Sequence, residues 1–146
     1  MDRDVRVKTA VYGWFAETGR RPTPGEVAAR AQVDPGEIPD SYRSLRAQRL
    51  LVLESDSTSI RMAPPFSGVP TQHEVEISGI RYFANCAWDA LGIIAALHKS
   101  GVVRSRCAQS GEPFHLDLGP RGPGLSSWLF HCRVPAALWW DDIVFT

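Results

Sequence analysis

The sequence predicts an α+β protein, in which a three-helix module precedes a domain of antiparallel strands around a central helix. Three observations support this prediction. The first third of the chain has apolar residues at helical spacing in three segments. Short β-type runs then flank turn sequences rich in Ser, Asp and Gly. In the second half, one apolar helical run, residues 86–98, lies between strand patterns. With 146 residues, the chain can form one domain or two small ones.

The first half has the pattern of a winged helix-turn-helix. The first helix follows from a stripe of apolar residues at Val7, Ala10, Val11, Trp14 and Phe15. Residues 23–26 combine a capping box with proline at the first helical position, and residues 34–37 repeat this start signal. Residues 50–54 and 59–62 then read as two short strands. We therefore assign residues 1–62 to a winged-helix-like module.

The charge balance argues against nucleic acid as a partner. A winged helix that binds DNA places its third helix in the major groove. Residues 1–62 carry ten Lys and Arg but also nine Asp and Glu, and Glu37 and Asp40 begin the third helix. The whole chain has 16 residues of each sign, without the basic excess that phosphates attract. We therefore interpret this module as one that packs against the second domain.

The sequence also predicts a cytoplasmic protein that has no membrane segment. No apolar run reaches the roughly 20 residues that a membrane span needs. The charged N-terminus does not resemble a signal peptide. Three cysteines at irregular spacing do not suggest a disulfide framework, so free thiols in a reducing compartment are expected.

The second half is expected to carry the functional site. Residues 63–80 are predicted to be a Pro-rich linker with a lead-in strand, and Phe66 within it should be buried. Residues 81–146 then form the second domain. Strands are expected over residues 102–107, 113–118 and 129–134. We read Cys107 as a structural, mostly buried thiol.

Cys86 and Asp89 form the most informative motif of the chain. They lie three residues apart at the start of the predicted helix 86–98, so they share one helix face. The positive end of the helix dipole should lower the thiol pKa and favour the thiolate, which is the nucleophile and the metal ligand. A carboxylate beside the thiol can accept and deliver a proton. The alternative is a small buried cysteine with a solvated first-turn carboxylate.

Three blocks of sequence resemble the alkylmercury lyase (organomercurial lyase) family. Residues 81–92, RYFANCAWDALG, resemble the active-site segment of that family. Residues 63–70, APPFSGVP, and residues 134–143, VPAALWWDDI, resemble the flanking segments. The resemblance covers nearly the whole chain. It implies a lyase that requires no cofactor and acts on small organomercurial substrates.

The resemblance also implies roles for individual residues. Cys86 would bind mercury transiently and Asp89 would shuttle a proton, so that the C–Hg bond is cleaved by protonolysis and Hg(II) remains on two sulfurs. Small thiols or a mercuric reductase would then take the metal. Soft thiolates select soft metals, which fits this chemistry. We expect Trp88, Phe66 and Trp139 to line the pocket.

The family's second cysteine has no counterpart at the expected position. Related sequences place it directly after a segment like residues 139–146, where this chain ends, so we expect a short or C-terminally truncated member. Cys132 could replace that thiol if the strand predicted over residues 129–134 runs beside the Cys86 helix, with His131 as a further partner. Exposed strand edges near the chain end would favour a homodimer.

Two other functions remain open at this point. The chain could keep the lyase fold and use Cys86 and Asp89 for different chemistry in a specialised metabolic pathway. It could also be a non-catalytic protein that binds soft metals or interacts through its winged helix.

Overall fold

The computed structural model describes residues 2–145 and has an α+β fold, which confirms the predicted class. The α-helices of this range are α1 (Arg3–Thr18), α2 (Pro24–Ala31), α3 (Ile38–Ala47) and α4 (Ala87–Leu97). The strands are β1 (Val52–Leu53), β2 (Ile60–Ala63), β3 (Phe66–Ser67), β4 (Glu74–Ile77), β5 (Ile80–Phe83), β6 (Gly101–Arg106), β7 (Pro113–Gly119) and β8 (Gly122–Pro123). Two 3₁₀ turns, Pro35–Glu37 and Ala136–Asp141, complete the elements.

The helices of the first half begin and end where local signals predict. Thr23 caps α2 through a complete capping box with Glu26, and Pro24 occupies the first turn. Gly19 ends α1 in the left-handed conformation at φ 71°, where a residue without a Cβ is favoured. Asp34 starts the 3₁₀ turn before α3 by accepting the Gly36 N–H. Local hydrogen bonding therefore defines the helix ends of this module, while its winged-helix assignment stays a prediction.

The strands form two antiparallel sheets. The first has the order β1-β2-β3, and the second has the order β5-β4-β6-β7-β8. An isolated bridge between Phe66 and Ala84 connects β3 with the chain that leaves β5. The Tyr82 hydroxyl donates to the Ala16 carbonyl at 2.7 Å, which joins β5 to α1. The division of the chain at residues 62 and 80 stays a prediction.

The core is continuous from α1 to β7 and supports the start of α4. Ala90, Ile93 and Ile94 are the buried residues of α4, which packs on β4, β6 and β7. Gly92 lets this helix approach the preceding loop, since an added Cβ would lie 3.3 Å from Pro65 Cβ. The N-terminal end of α4 is therefore held between the second sheet and the segment around Pro65.

The prediction of a strand over residues 129–134 is wrong. Between β8 and residue 145 the described backbone contains no strand, and residues 143–145 form a turn. Strand preference depends largely on cross-strand packing, and this segment has no strand partner within the described range. Its aromatic side chains contact other rings instead. The exposed strand edge that we expected at the chain end is therefore absent up to residue 145, and Thr146 lies outside the described residues.

Candidate functional site

Cys86 is the N-cap of α4 rather than a residue of its first turn. Its backbone is extended, and its Sγ accepts a hydrogen bond from the Asp89 backbone N–H at 3.4 Å. The sulfur thus takes the place of the oxygen that usually caps a helix. This bond holds the thiol over the same turn that carries the Asp89 carboxylate.

Asp89 is partly buried and bound by a neighbouring amide. Asn85 Nδ2 donates to Asp89 Oδ2 at 2.9 Å. Burial raises the pKa of Asp89 above its ordinary value, because removal from water disfavours the charged form, and the hydrogen bond from Asn85 opposes this effect. Asp89 is therefore a carboxyl group whose affinity for a proton is greater than usual.

Burial also raises the pKa of the Cys86 thiol, which is opposite to the direction expected from the helix terminus. The hydrogen bond from the Asp89 N–H lowers this pKa, whereas the charge of Asp89 raises it. The Trp88 N–H lowers it further, and the Cys132 thiol raises it. Desolvation outweighs the helix N-terminus here, so the protonated thiol is favoured.

Cys132 is the other thiol that affects the Cys86 pKa, and its effect is the smallest of the contributions. It is exposed and belongs to the irregular segment after β8. The ring of Phe130 lies 5.4 Å from the ring of Trp88, which is on the first turn of α4. Offset and tilted ring pairs at this distance are attractive. The segment therefore reaches the N-terminal end of α4 through aromatic packing instead of through a strand ladder.

The remaining predicted site residues lie in different environments. Phe66 is 3% exposed and stacks on Phe15 with ring centroids 5.3 Å apart, so it belongs to the core. Trp88 is 53% exposed. Trp139 donates its indole N–H to the Val134 carbonyl at 2.8 Å, within the C-terminal segment. His131 is exposed. Their assignment to a substrate pocket stays a prediction.

Asn85 and Tyr12 are residues of this region that the sequence analysis missed. Asn85 is bound to Asp89, and its nearness in the sequence was the one usable signal, because Asn85 precedes the N-cap Cys86 and so does not share a helix face with Asp89. Tyr12 comes from α1, and no local pattern connects it with Asp89. Burial, followed by the charge of Asp89, raises the pKa of Tyr12 to about 12. The Tyr12 hydroxyl donates to the Leu50 carbonyl at 2.9 Å.

An apolar cleft adjoins Tyr12 between α1 and the C-terminal end of α4. Its volume is about 580 Å³, within the usual range for small-molecule sites. The lining residues are Lys8, Thr9, Tyr12, Gly13, Ala16, Leu50, Phe66, Ala96 and Leu97. Tyr12, whose pKa is raised in part by the charge of Asp89, is therefore one of the residues that line this cleft.

Cys107 differs from the buried structural thiol that we expected. It is half-buried at the end of β6. Its pKa is lowered by a hydrogen bond from the Ser110 side chain and by the backbone N–H groups of Ser110 and Gln109. This thiol is therefore prone to ionise and to compete for soft metals.

Residues 2–145 contain neither a further cluster of metal-ligating side chains nor a helix of transmembrane type. No three His, Cys, Asp or Glu side chains in this range are grouped so that they could hold a metal ion. No helix formed by these residues is both long and apolar enough to span a membrane.

Comparison with known proteins identifies the family. The family model for MerB, the alkylmercury lyases, matches residues 66–146, which is more than half of the chain. The chain belongs to the alkylmercury lyase family.

The fold of this chain is also similar to that of a solved structure. A crystal structure of the mercury-bound form of MerB2 superimposes with a TM-score of 0.66 at 22% sequence identity. The match covers 86% of this chain and 59% of the MerB2 chain, so this chain spans about three fifths of that relative's length. No curated protein matches the sequence.

Proposed function

We propose that the protein cleaves carbon–mercury bonds by protonolysis, with Cys86 as the mercury-binding thiol and Asp89 as the proton shuttle. The observation that carries this proposal is the cap of α4, where the Cys86 sulfur accepts the Asp89 N–H at 3.4 Å. A thiol and a carboxylate with raised proton affinity thus share one helical turn. Membership of the alkylmercury lyase family supports the same reaction class.

The proposed reaction balances without a cofactor. The Cys86 sulfur binds the mercury of R–Hg⁺ as its S–H proton passes to the Asp89 carboxylate, because a metal-bound thiol must lose its proton. The carboxylic acid then delivers that proton to the carbon bound to mercury. The C–Hg bond breaks, a C–H bond forms, and R–H leaves. Mercury remains as Hg(II) on sulfur.

The raised pKa values suit this sequence of steps. A protonated thiol brings its own proton into the site, and Asp89, whose backbone N–H binds the sulfur, supplies a carboxylate on the same turn to accept it. Because burial raises the pKa of Asp89, the pKa of the acid formed in the first step lies closer to neutral pH than that of an ordinary aspartic acid. General acid–base groups work best when their pKa approaches the working pH.

Cys132 is the second thiol of the proposal. Its interaction with Cys86 and the Trp88–Phe130 contact support a position beside the first sulfur. Two thiolates would hold Hg(II) more tightly than one, because soft sulfur ligands are preferred by soft metals. The position of Cys132 in the sequence differs from that of the family's second cysteine.

The proposal extends to the setting of the reaction. Free thiols are retained in a reducing cytoplasm, and small thiols there would take Hg(II) from the two cysteines. A mercuric reductase is a second acceptor for the metal. The exposed apolar side chains after β8, among them Leu125, Leu129 and Phe145, favour a homodimer in which a second copy covers them.

The test is hydrocarbon release from phenylmercury in the presence of excess small thiol. Benzene release should be lost in Cys86→Ser and Asp89→Asn and reduced in Cys132→Ser. Cys107→Ser is the matched control, because it also removes a thiol, and it should keep the wild-type rate. A folded wild-type protein that releases no benzene would overturn the proposal and direct attention to other chemistry of Cys86 and Asp89.

A further inference from the structure

We propose that Asn85 is a positioning residue that holds the Asp89 carboxylate in the orientation required for proton transfer. This inference rests on the proposed function and adds a residue to its machinery. Asn85 lies directly before Cys86, at the point where the chain leaves β5 and enters α4.

The Asn85 amide binds Asp89 and a neighbouring loop at the same time. Its Nδ2 donates to Asp89 Oδ2 at 2.9 Å and to the Phe66 carbonyl at 3.2 Å, with the Pro65 carbonyl at 3.4 Å. A side-chain amide nitrogen has two hydrogens, so one serves the carboxylate and the other is shared by the two carbonyls. The carboxylate is thereby connected to β3 as well as to its own helix.

These acceptors fix which way the amide points. With the amide reversed, Asn85 Oδ1 would face a carboxylate oxygen and two carbonyl oxygens, all of which lack a hydrogen to donate. In the observed orientation, Oδ1 is buried and has no hydrogen-bond partner within residues 2–145. Such a group is costly, and its presence needs an explanation. Binding of the carboxylate by Nδ2 supplies one.

The frame that holds Asn85 is rigid. Phe66 is buried in the core between Phe15 and Tyr82. Pro65 packs against Gly92 on the next turns of α4. A carboxylate tied to this frame cannot rotate freely. Since Oδ2 is bound to the amide, proton exchange with Cys86 and with the substrate carbon is assigned to Oδ1 of Asp89.

The hydrogen bond also favours the charged form of Asp89, because an N–H donor stabilises the carboxylate over the carboxylic acid. Burial opposes this effect and is the larger of the two.

The direct test uses the fact that Asn85 is the only asparagine of the sequence. Labelling with side-chain ¹⁵N-asparagine gives one NH₂ pair in an NMR spectrum. We expect this pair to titrate in the acidic range in the wild-type protein and to lose that titration in Asp89→Asn. Cys86 and Tyr12 also face Asp89, but their raised pKa values place their titrations at alkaline pH. An acidic titration that is absent in the wild type, or unchanged in Asp89→Asn, would overturn the inference.

A kinetic variant tests the functional consequence. Asn85→Ala should lower kcat for benzene release about tenfold to a hundredfold, because loss of alignment by even one ångström is costly. It should also shift the acid limb of the pH profile to higher pH while KM changes little. Gln72→Ala removes an amide from an exposed position before β4 and should match the wild type. Wild-type kcat and an unshifted profile in Asn85→Ala would contradict the role.

The two arms separate this inference from the proposed function. The NMR titration requires no organomercurial turnover and no variant at Asn85, so it decides the Asn85–Asp89 contact even when Asn85→Ala does not fold. A titration that depends on Asp89, together with absent benzene release by the wild type, would retain the contact and reject the lyase reaction.

Discussion

The framework that carries Cys86 and Asp89 differs sharply from the segment that carries Cys132. Residues 7–118 supply a continuous core in which side chains such as Phe15, Ile60 and Ile93 are fully buried. After β8, Leu125 and Leu129 are almost completely exposed, at 109% and 91%. Ring contacts of Trp128 and Phe130 connect that segment to β7 and α4.

The two regions therefore position their candidate site residues in different ways. The thiol and carboxylate of α4 are positioned by capping, by Asn85 and by the core, so their geometry is preorganised. The segment that carries Cys132 is attached to the framework by the ring contacts of Trp128 and Phe130, so in the proposed reaction Cys132 would adjust its position as mercury binds. Substitutions in the framework should therefore act on chemistry or on stability, and substitutions in the segment should act on metal retention.

The largest expected effect is that of Asp89→Asn, which should have opposite effects on activity and stability. Benzene release should fall about 10²- to 10⁴-fold, the usual contribution of a general acid–base group. Thermal stability at neutral pH should rise, because the variant removes a half-buried charge and keeps an acceptor for Asn85. Rates and melting temperatures, measured on the same preparation, check both halves. A variant that loses activity and stability together would indicate a merely structural role.

The pH dependence of stability tests the raised pKa of Asp89 in this framework. The folded-state pKa of Asp89 is raised, so the folded protein binds more protons than the unfolded chain between the two pKa values. The contribution of Asp89 to stability therefore falls as pH rises from its ordinary pKa through its raised pKa. Urea denaturation across the acidic range should therefore show that the stability of Asp89→Asn relative to the wild type increases as pH rises through the raised pKa, a difference from which the contributions of the other carboxyl groups cancel.

Phe66→Ala tests the framework at its contact with the site. Removal of a buried Phe typically costs about 3–5 kcal/mol of unfolding free energy, from lost burial and from the cavity. Phe66 is 3% exposed, and its backbone carbonyl is an acceptor of Asn85. Urea denaturation should show this loss. A cost near zero would contradict the buried position of Phe66.

Cys132→Ser should have a smaller effect that concerns the metal. We expect benzene release to fall about tenfold, equivalent to about 1.4 kcal/mol, and Hg(II) to leave the protein faster. Stability should stay within about 0.5 kcal/mol of the wild type, because Cys132 is exposed. Stopped-flow transfer of Hg(II) to a chelating dithiol measures retention. Unchanged release and retention would exclude Cys132 as the second thiol.

The smallest expected effect is that of Phe130→Ala. Phe130 is 47% exposed, and its contact with Trp88 should contribute about 1 kcal/mol or less to stability. Retention of Hg(II) should nevertheless weaken in the same direction as in Cys132→Ser, because the segment loses its anchor on α4. Leu129→Ala alters an exposed neighbour and serves as the control.

Local signals in the sequence predicted much of this molecule. The capping box at Thr23 and the Cys86–Asp89 spacing depend on residues a few positions apart, so the starts of α2 and α4 could be read directly. The prediction of a strand over residues 129–134 was wrong because a strand needs a partner that only the tertiary structure provides. The prediction of a lowered Cys86 pKa was wrong for a related reason, since burial of the thiol is not visible in the local pattern.

The approach of distant residues was equally hidden. Tyr12 reaches the surroundings of Asp89 from a separation of 77 positions, and no periodicity connects them. The proximity of Cys132 to Cys86 was a hypothesis that depended on a strand. That strand is absent, and the proximity stays a prediction that the effect of Cys132 on the Cys86 pKa supports. Asn85 could have been found, because its spacing from Asp89 is local.

The proposed reaction depends most on the convergence of Cys86 and Cys132 on one mercury atom beside Asp89. Mercury-edge X-ray absorption on the Cys107→Ser protein, loaded with one equivalent of Hg(II) and freed of small thiols, tests it directly. We expect two protein sulfurs on each mercury, with one sulfur lost in the Cys107→Ser, Cys132→Ser double variant. A single sulfur in Cys107→Ser, or an unchanged count in the double variant, would contradict it.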